Sequence, residues 1–123
     1  MSNKKILSDY TIEGGLFVKL GSISYQENLD VDSALVEVVA IADKTVYDAV
    51  FFDYVVKNGT NIRAGTVVSS HNGTTATFFD NSTTDLGDTS GVSLSVDISG
   101  NDLRLKADVT TDNWVIKCIV RAI

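Results

Sequence analysis

Three successive segments at the end of the chain alternate apolar and polar residues: 92–98, 103–109 and 114–122. A repeat of two residues is typical of a β-strand that buries one face and exposes the other. We therefore predict three strands here, with their apolar residues in the core. The predicted core residues are Leu94, Val96, Leu103, Leu105, Trp114, Ile116 and Cys118.

Between the first two of these segments lies Ser-Gly-Asn-Asp, whose central Gly-Asn pair is a signal for a two-residue β-hairpin turn. This turn places Val96 opposite Leu105 on the apolar face. It places Asp97 opposite Arg104 on the polar face, where the opposite charges attract. We predict that the third segment pairs with the second in the same sheet. In the simplest register, Trp114 lies opposite Val109.

Three more strands are predicted upstream, where apolar and β-branched runs are bounded by Asn-Gly pairs. They cover residues 45–57, 62–70 and 75–79. An Ala-Gly pair at 64–65 interrupts the second of them, and we interpret it as a β-bulge. The polar residues 80–90 predict a loop.

Residues 33–42 fit two structures. Four apolar residues spaced three and four apart would share one face of a short helix. The β-branched residues of the segment favour a strand instead. Such a strand contains a single charged residue, Glu37, so it would need cover on nearly both faces.

Residues 1–32 are less regular and contain short apolar runs at 16–20 and 23–25. They would form either an edge strand of the domain or an arm that reaches a neighbouring molecule. We therefore divide the chain into an N-terminal arm with short strands, 1–32, and a β-sandwich domain, 33–123. About eight strands with frequent turn signals predict an all-β, antiparallel, jelly-roll-like sandwich in a single domain.

Composition limits the partners of this domain. The 123 residues carry a formal net charge of −6, which argues against nucleic acid because Lys and Arg bind its phosphates. No apolar run approaches the ~20 residues of a membrane-spanning helix, so we expect no membrane insertion. The apolar run near the N-terminus is too short for a signal peptide, which predicts synthesis in a cytoplasm. A single cysteine excludes an internal disulfide.

Few residues suggest chemistry. His71, the only histidine, borders an Asn-Gly turn, and no nucleophile motif accompanies it. We therefore predict no enzyme and no cofactor. Asp80, Asp85 and Asp88 offer oxygen ligands to calcium, but their spacing does not follow the EF-hand pattern, and such residues are also common in turns. We predict no metal site, with these three residues as the only candidates.

Adjacent aromatic residues occur twice in the predicted strands, at 51–52 and 78–79, and two neighbours cannot share one face of a strand. A two-sheet sandwich buries only the inner face of each sheet. The apolar residues on the other faces therefore predict a subunit interface and a homo-oligomer. The interface candidates are Leu35, Val39, Ile41, Phe51, Phe52, Phe78 and Phe79.

Short motifs follow one another along most of the chain: Phe52-Asp53-Tyr54 with Asn58-Gly59, Arg63-Ala64-Gly65-Thr66, Val92-Ser93-Leu94, Leu103-Arg104-Leu105, and Trp114 with the terminal Arg121-Ala122-Ile123. In this order and spacing, residues 34–123 resemble a β-structured module of bacteriophage virion proteins, found on tail fibres, head fibres and capsid surfaces. None of the motifs is catalytic.

The resemblance implies a non-enzymatic structural protein at the virion surface, a capsid decoration or fibre-type subunit made in the host cytoplasm. It also implies a homotrimer that contacts other virion proteins (capsid or fibre) or the host, and it makes residues 1–32 a candidate for attachment to the virion. The alternative is a carbohydrate-binding or host-receptor-binding sandwich, in which exposed aromatic rings stack on a host surface glycan.

Overall fold

Residues 11–123, which the computed structural model describes, form nine strands. They are β1 (Leu16–Val18), β2 (Gly21–Val31), β3 (Glu37–Asp43), β4 (Ala49–Asn58), β5 (Asn61–His71), β6 (Ala76–Ser82), β7 (Val92–Ser99), β8 (Asp102–Val109) and β9 (Trp114–Ala122). Neighbouring strands are antiparallel and form a six-stranded sheet, in the order β1-β2-β9-β4-β5-β6, and a three-stranded sheet, in the order β3-β8-β7. The predicted all-β, antiparallel sandwich is confirmed. No helix among these residues is long and apolar enough to span a membrane.

The core lies between the two sheets. Alternate residues of β4, β8 and β9 supply most of it, as their period-two patterns require. The seven predicted core residues are all buried, with exposed fractions from 0% for Leu103 to 7% for Val96. Phe52 is also fully buried, because it shares the inward-facing set of β4 with Val50 and Tyr54. Phe52 is therefore a core residue, and its prediction as an interface residue is wrong.

The predicted register of the β7–β8 hairpin is confirmed, with Val96 opposite Leu105. The predicted continuation into β9 is wrong. Trp114 pairs with Val31 of β2, in the six-stranded sheet, and not with Val109. The physical reason is that β8 already pairs with β7 on one side and β3 on the other, so it has no edge left for β9.

Residues 37–43 form a strand, β3, and not a helix. A shift of register between Val38 and Ala40 marks a β-bulge opposite β8. The bulge turns two consecutive residues inward, so Val39 and Ala40 are 4% and 2% exposed. Val39 therefore belongs to the core, and its prediction as an interface residue is wrong.

Both Asn-Gly turns predicted upstream are present, and their glycines have positive φ. The bulge predicted at 64–65 is absent, because β5 pairs with β4 without a register shift. Gly65 instead leaves room for two neighbouring groups that a side chain would overlap. A Cβ atom there would lie 2.5 Å from the backbone oxygen of Asn81 and 2.8 Å from the hydroxyl of Tyr54. The predicted loop 80–90 is shorter, since β6 extends through Ser82.

Within the proposed arm 1–32, residues 1–10 lie outside the described residues. The remainder contributes two strands, with β1 at the edge of the six-stranded sheet and β2 between β1 and β9. The side-chain amide of Gln26 in β2 donates a hydrogen bond to the carbonyl of Ile41 and accepts one from its backbone N–H. The amide of Asn28 donates to the carbonyl of Val38. These side chains join the two sheets along one side, so β2 is an integral strand of the sandwich.

Candidate functional site: the outer face of the six-stranded sheet

The outer face is the side of the six-stranded sheet that points away from the three-stranded sheet. On it, one row of directly opposed residues crosses all six strands, and five of its six members are apolar. We call this set the apolar row. It consists, in order, of Leu16, Ile23, Arg121, Phe51, Val68 and Phe79.

Most of the apolar row is open to solvent. Phe79 is 66% exposed, and Leu16, Ile23 and Val68 are each about two-fifths exposed. In the next row, Tyr25 lies opposite Ile119, and these two side chains extend the same apolar area. Exposed apolar side chains are ordinary when single, but a contiguous patch on one face marks an interaction surface.

Strand β2 contributes to this face with an inverted pattern. Ile23 and Tyr25 point outward into solvent, whereas Ser24 and Gln26 point inward. A strand in an antiparallel sheet with one face in water normally buries its apolar residues and exposes its polar ones. The inversion therefore adds Ile23 and Tyr25 to the exposed apolar area of the outer face.

One ion pair lies in the middle of the outer face. The carboxylate of Asp53 accepts hydrogen bonds from Nε and Nη2 of Arg121, at 2.7 and 3.1 Å, and from the hydroxyl of Thr66 at 2.7 Å. These bonds, that of Arg121 above all, hold the pKa of Asp53 below its usual value. The guanidinium also lies 4.8 Å from the ring centroid of Phe51. The two charges therefore neutralise each other beside an aromatic ring.

Next to this ion pair the outer face forms a shallow, open depression of about 600 Å³. Its rim combines an aromatic ring with charged groups and hydroxyls, which are the groups that contact sugars. Its lining side chains include Tyr25, Asp53, Val55, Thr66, Lys117 and Ile119.

The structure separates the predicted interface residues. Phe51 and Phe79 lie on the outer face, as members of the apolar row. Phe78 points to the inner side, but at the edge strand β6 it remains 42% exposed. Leu35 and Ile41 are exposed near the three-stranded sheet, 75% and 43%, and do not join the outer face.

Sequence reasoning missed six residues of this surface. A signal for two of them was present, because 22–26 alternates serine or glutamine with Ile23 and Tyr25. This alternation does not show which set of side chains points outward, because only the pairing of β2 with β9 identifies the inner side of the strand. The missed residues are Leu16, Ile23, Tyr25, Val68, Ile119 and Arg121.

The three calcium candidates do not converge. Asp85 accepts hydrogen bonds from the backbone and hydroxyl of Thr89, and Asp88 does the same with Ser90. Asp80 accepts the hydroxyl proton of Tyr54 at 2.7 Å. Within residues 11–123, no three His, Cys, Asp or Glu side chains are arranged to hold a metal ion.

His71 and Cys118 are both engaged in the fold. Nδ1 of His71 accepts the backbone N–H of Gly73, which places the ring proton on Nε2, 2.6 Å from the carbonyl of Tyr47. Cys118 is 2% exposed, and burial raises the pKa of its thiol to about 12. The thiolate needed for nucleophilic chemistry is therefore disfavoured.

Comparison of the chain with protein-family models, with curated protein sequences and with solved structures gives no significant match. The geometry of the outer face is therefore the main basis for assigning a function. The resemblance to phage surface proteins stays a prediction from sequence motifs.

Proposed function

We propose that this protein is a non-enzymatic structural subunit of a bacteriophage particle, either a capsid decoration protein or a fibre-type surface protein. The observation that carries the proposal is the apolar row, which runs across every strand of the six-stranded sheet and is open to solvent. A surface of this kind is typical of a protein that works in an assembly.

The fold and the occupied polar groups support a structural role. The antiparallel sandwich is the architecture that the resemblance implies for a virion surface module. His71 and Cys118 serve the turn and the core, so neither is arranged as a general base or a nucleophile. The organised surface is thus a contact surface, and contact is the task of a decoration or fibre subunit.

Immunogold electron microscopy of purified phage particles tests the proposal. We expect an antibody against this protein to label intact particles at regular positions on the capsid or at fibre tips. The control is the same antibody after preincubation with the purified protein. Detection of the protein in infected cells, but not on purified particles, would contradict the proposal.

The depression on the outer face favours a second candidate, a carbohydrate-binding or receptor-binding module. Tyr25 is 51% exposed beside the Asp53 carboxylate and Lys117, so a sugar could stack on the ring and bond to the charged groups. A glycan array tests this function. Selective glycan binding that is lost in Tyr25→Ala would support the carbohydrate-binding function. The control variant Phe17→Ala, on the exposed edge strand β1, should bind the same glycans as the wild type. An array without selective binding would exclude it for the glycans displayed.

A further inference from the structure

We infer that the outer face is a self-association surface, on which the same face of a second copy of this chain packs. The inference builds on the proposed function, since it names the partner of the surface that carries that function. It follows from the shape, the charge and the area of the face.

The shape of the face suits a second sheet. Two β-sheets pack face to face at about 10 Å, with side chains of the facing surfaces interdigitating. The apolar row provides such side chains on all six strands, and Tyr25 and Ile119 widen it. The inverted pattern of β2 has the same consequence, because it places apolar residues on the side that a partner sheet would cover.

The charge of the face is compatible with contact between two copies of the same chain. The whole chain has a formal net charge of −6, so two copies repel each other over most of their surfaces. The outer face differs, because its three cations outnumber its two carboxylates and give a net charge of +1. Two copies that meet through this face therefore avoid their acidic surfaces. The cations are Lys57, Lys117 and Arg121, and the carboxylates are Glu27 and Asp53.

The area of the face is sufficient. Six strands spaced ~4.8 Å apart make it about 25–30 Å wide. The strands β4 and β5 have 10 and 11 residues, and the edge strands β1 and β6 have 3 and 7. At ~3.3 Å per residue, the average strand of this sheet is about 28 Å long. Length times width gives the face roughly 700 Å², close to the ~800 Å² that each partner buries in a standard interface.

The central ion pair favours a twofold arrangement. Asp53 binds two of the three guanidinium nitrogens of Arg121, and Nη1 is not part of that pair. When two copies face each other about a twofold axis through this region, each guanidinium can donate Nη1 to a carboxylate of the other copy. Such a contact closes at two copies. It differs from the trimer that the sequence resemblance implies, and mass distinguishes the two.

Native mass spectrometry of the full chain over a concentration series tests the inference. We expect a dimer, at twice the 13.2 kDa mass of the chain. Ile119→Lys should weaken the dimer, because it places a charged side chain in the contact. The substitution occurs once in each copy, so about tenfold per copy gives roughly a hundredfold increase in the Kd of the dimer. The matched control is Ile41→Lys, because Ile41 has the same residue type and nearly the same exposure, 43% against 42%, on the other sheet. Circular dichroism verifies that both variants fold.

The outcomes are distinct. A dimer that Ile119→Lys dissociates and Ile41→Lys retains supports the inference. A wild-type chain that stays monomeric at all concentrations overturns it and leaves the face to another protein, and a trimer overturns the twofold packing. A dimer that only Ile41→Lys dissociates also overturns it. Immunogold labelling is independent: labelled particles with a monomeric chain refute only this inference, and a dimer absent from particles refutes only the proposed function.

Discussion

Arg104 of β8 lies directly opposite Asp97 of β7, and its guanidinium donates to both carboxylate oxygens at 2.8 Å. Lys106 approaches the same carboxylate, also at 2.8 Å. The hydrogen bonds from Arg104 and then Lys106 lower the pKa of Asp97 from its ordinary 3.8 to about 2. This pair fixes the exposed side of the hairpin whose register the sequence predicts.

We predict that Asp97→Asn lowers the free energy of unfolding by about 1 kcal/mol at neutral pH. The value is modest because the side chains of Arg104 and Asp97 are 28% and 33% exposed. Since the pKa is lower in the folded state, the stabilisation is complete above about pH 4 and is lost as the pH falls through about 2. Urea unfolding of both proteins from pH 7 to pH 2 should therefore show curves that converge in acid.

The control for this experiment is Asp108→Asn in the paired strand β8, whose carboxylate makes no hydrogen bond among residues 11–123. It should change stability by less than about 0.5 kcal/mol at any pH in the series. A difference between wild type and Asp97→Asn that stays constant down to pH 2 would contradict the ion-pair explanation.

Local sequence signals predicted this hairpin because its two strands are joined by a two-residue turn, so turn type and apolar pattern set one register. The position of β9 could not be predicted in this way. Its partners Gln26 and Tyr54 are distant in sequence, and alternation shows that Cys118 has a buried face without showing which strand lies beside it. The bulge in β3 likewise changes which residues are buried after Val38.

The same limit applies to the candidate site. Phe51 and Phe79 were predicted as contact residues together with Phe52 and Phe78, because adjacent residues point to opposite faces and the pattern does not show which of each pair points outward. The continuous apolar row was not predictable, since it needs Ile23 to lie opposite Arg121, a pairing between the two ends of the chain. Tertiary pairing, and not local pattern, thus creates the surface.

We predict that Gly65→Ala lowers the free energy of unfolding by about 1–3 kcal/mol, because the new methyl group would overlap the Asn81 carbonyl and the Tyr54 hydroxyl. Thermal denaturation measures the loss. Gly14→Ala is the matched control, since a Cβ atom there meets no atom within 4 Å. Equal stability of Gly65→Ala and wild type would mean that the strands move apart freely at this point.

We predict that the Cys118 thiol is protected in the folded protein. It is 2% exposed and its pKa is raised to about 12, mainly by burial, so little thiolate is present near neutral pH. A disulfide reagent at pH 8 should label one thiol rapidly in urea and only slowly without urea. Labelling at the same rate in both conditions would show that β9 opens readily.

Arg63 extends inward from β5, at the side of the sandwich opposite Gln26. Its Nη1 donates to the carbonyl and hydroxyl of Thr89, its Nη2 donates to the carbonyl of Val92, and its Nε lies 3.3 Å from the hydroxyl of Tyr54. Thr89 is fully buried. Removing the guanidinium would take a charged donor from three acceptors at once, and only the Thr89 carbonyl has a second donor among residues 11–123, the backbone N–H of Val92. We expect a cost of about 2–3 kcal/mol.

Arg63→Met keeps the length of the side chain and tests this directly by urea denaturation, followed by tryptophan fluorescence. The matched control is Arg104→Met, which breaks a partly exposed ion pair and should cost only about 1 kcal/mol. Equal losses in the two variants would show that Arg63 acts as an ordinary surface cation. A larger loss in Arg63→Met would support a role for this arginine in joining the loop before β7 to the six-stranded sheet, beside the Asn61 side chain that accepts the backbone N–H of Asp88. Side-chain bridges would then reinforce the sandwich on two sides of the apolar core that lies between the sheets.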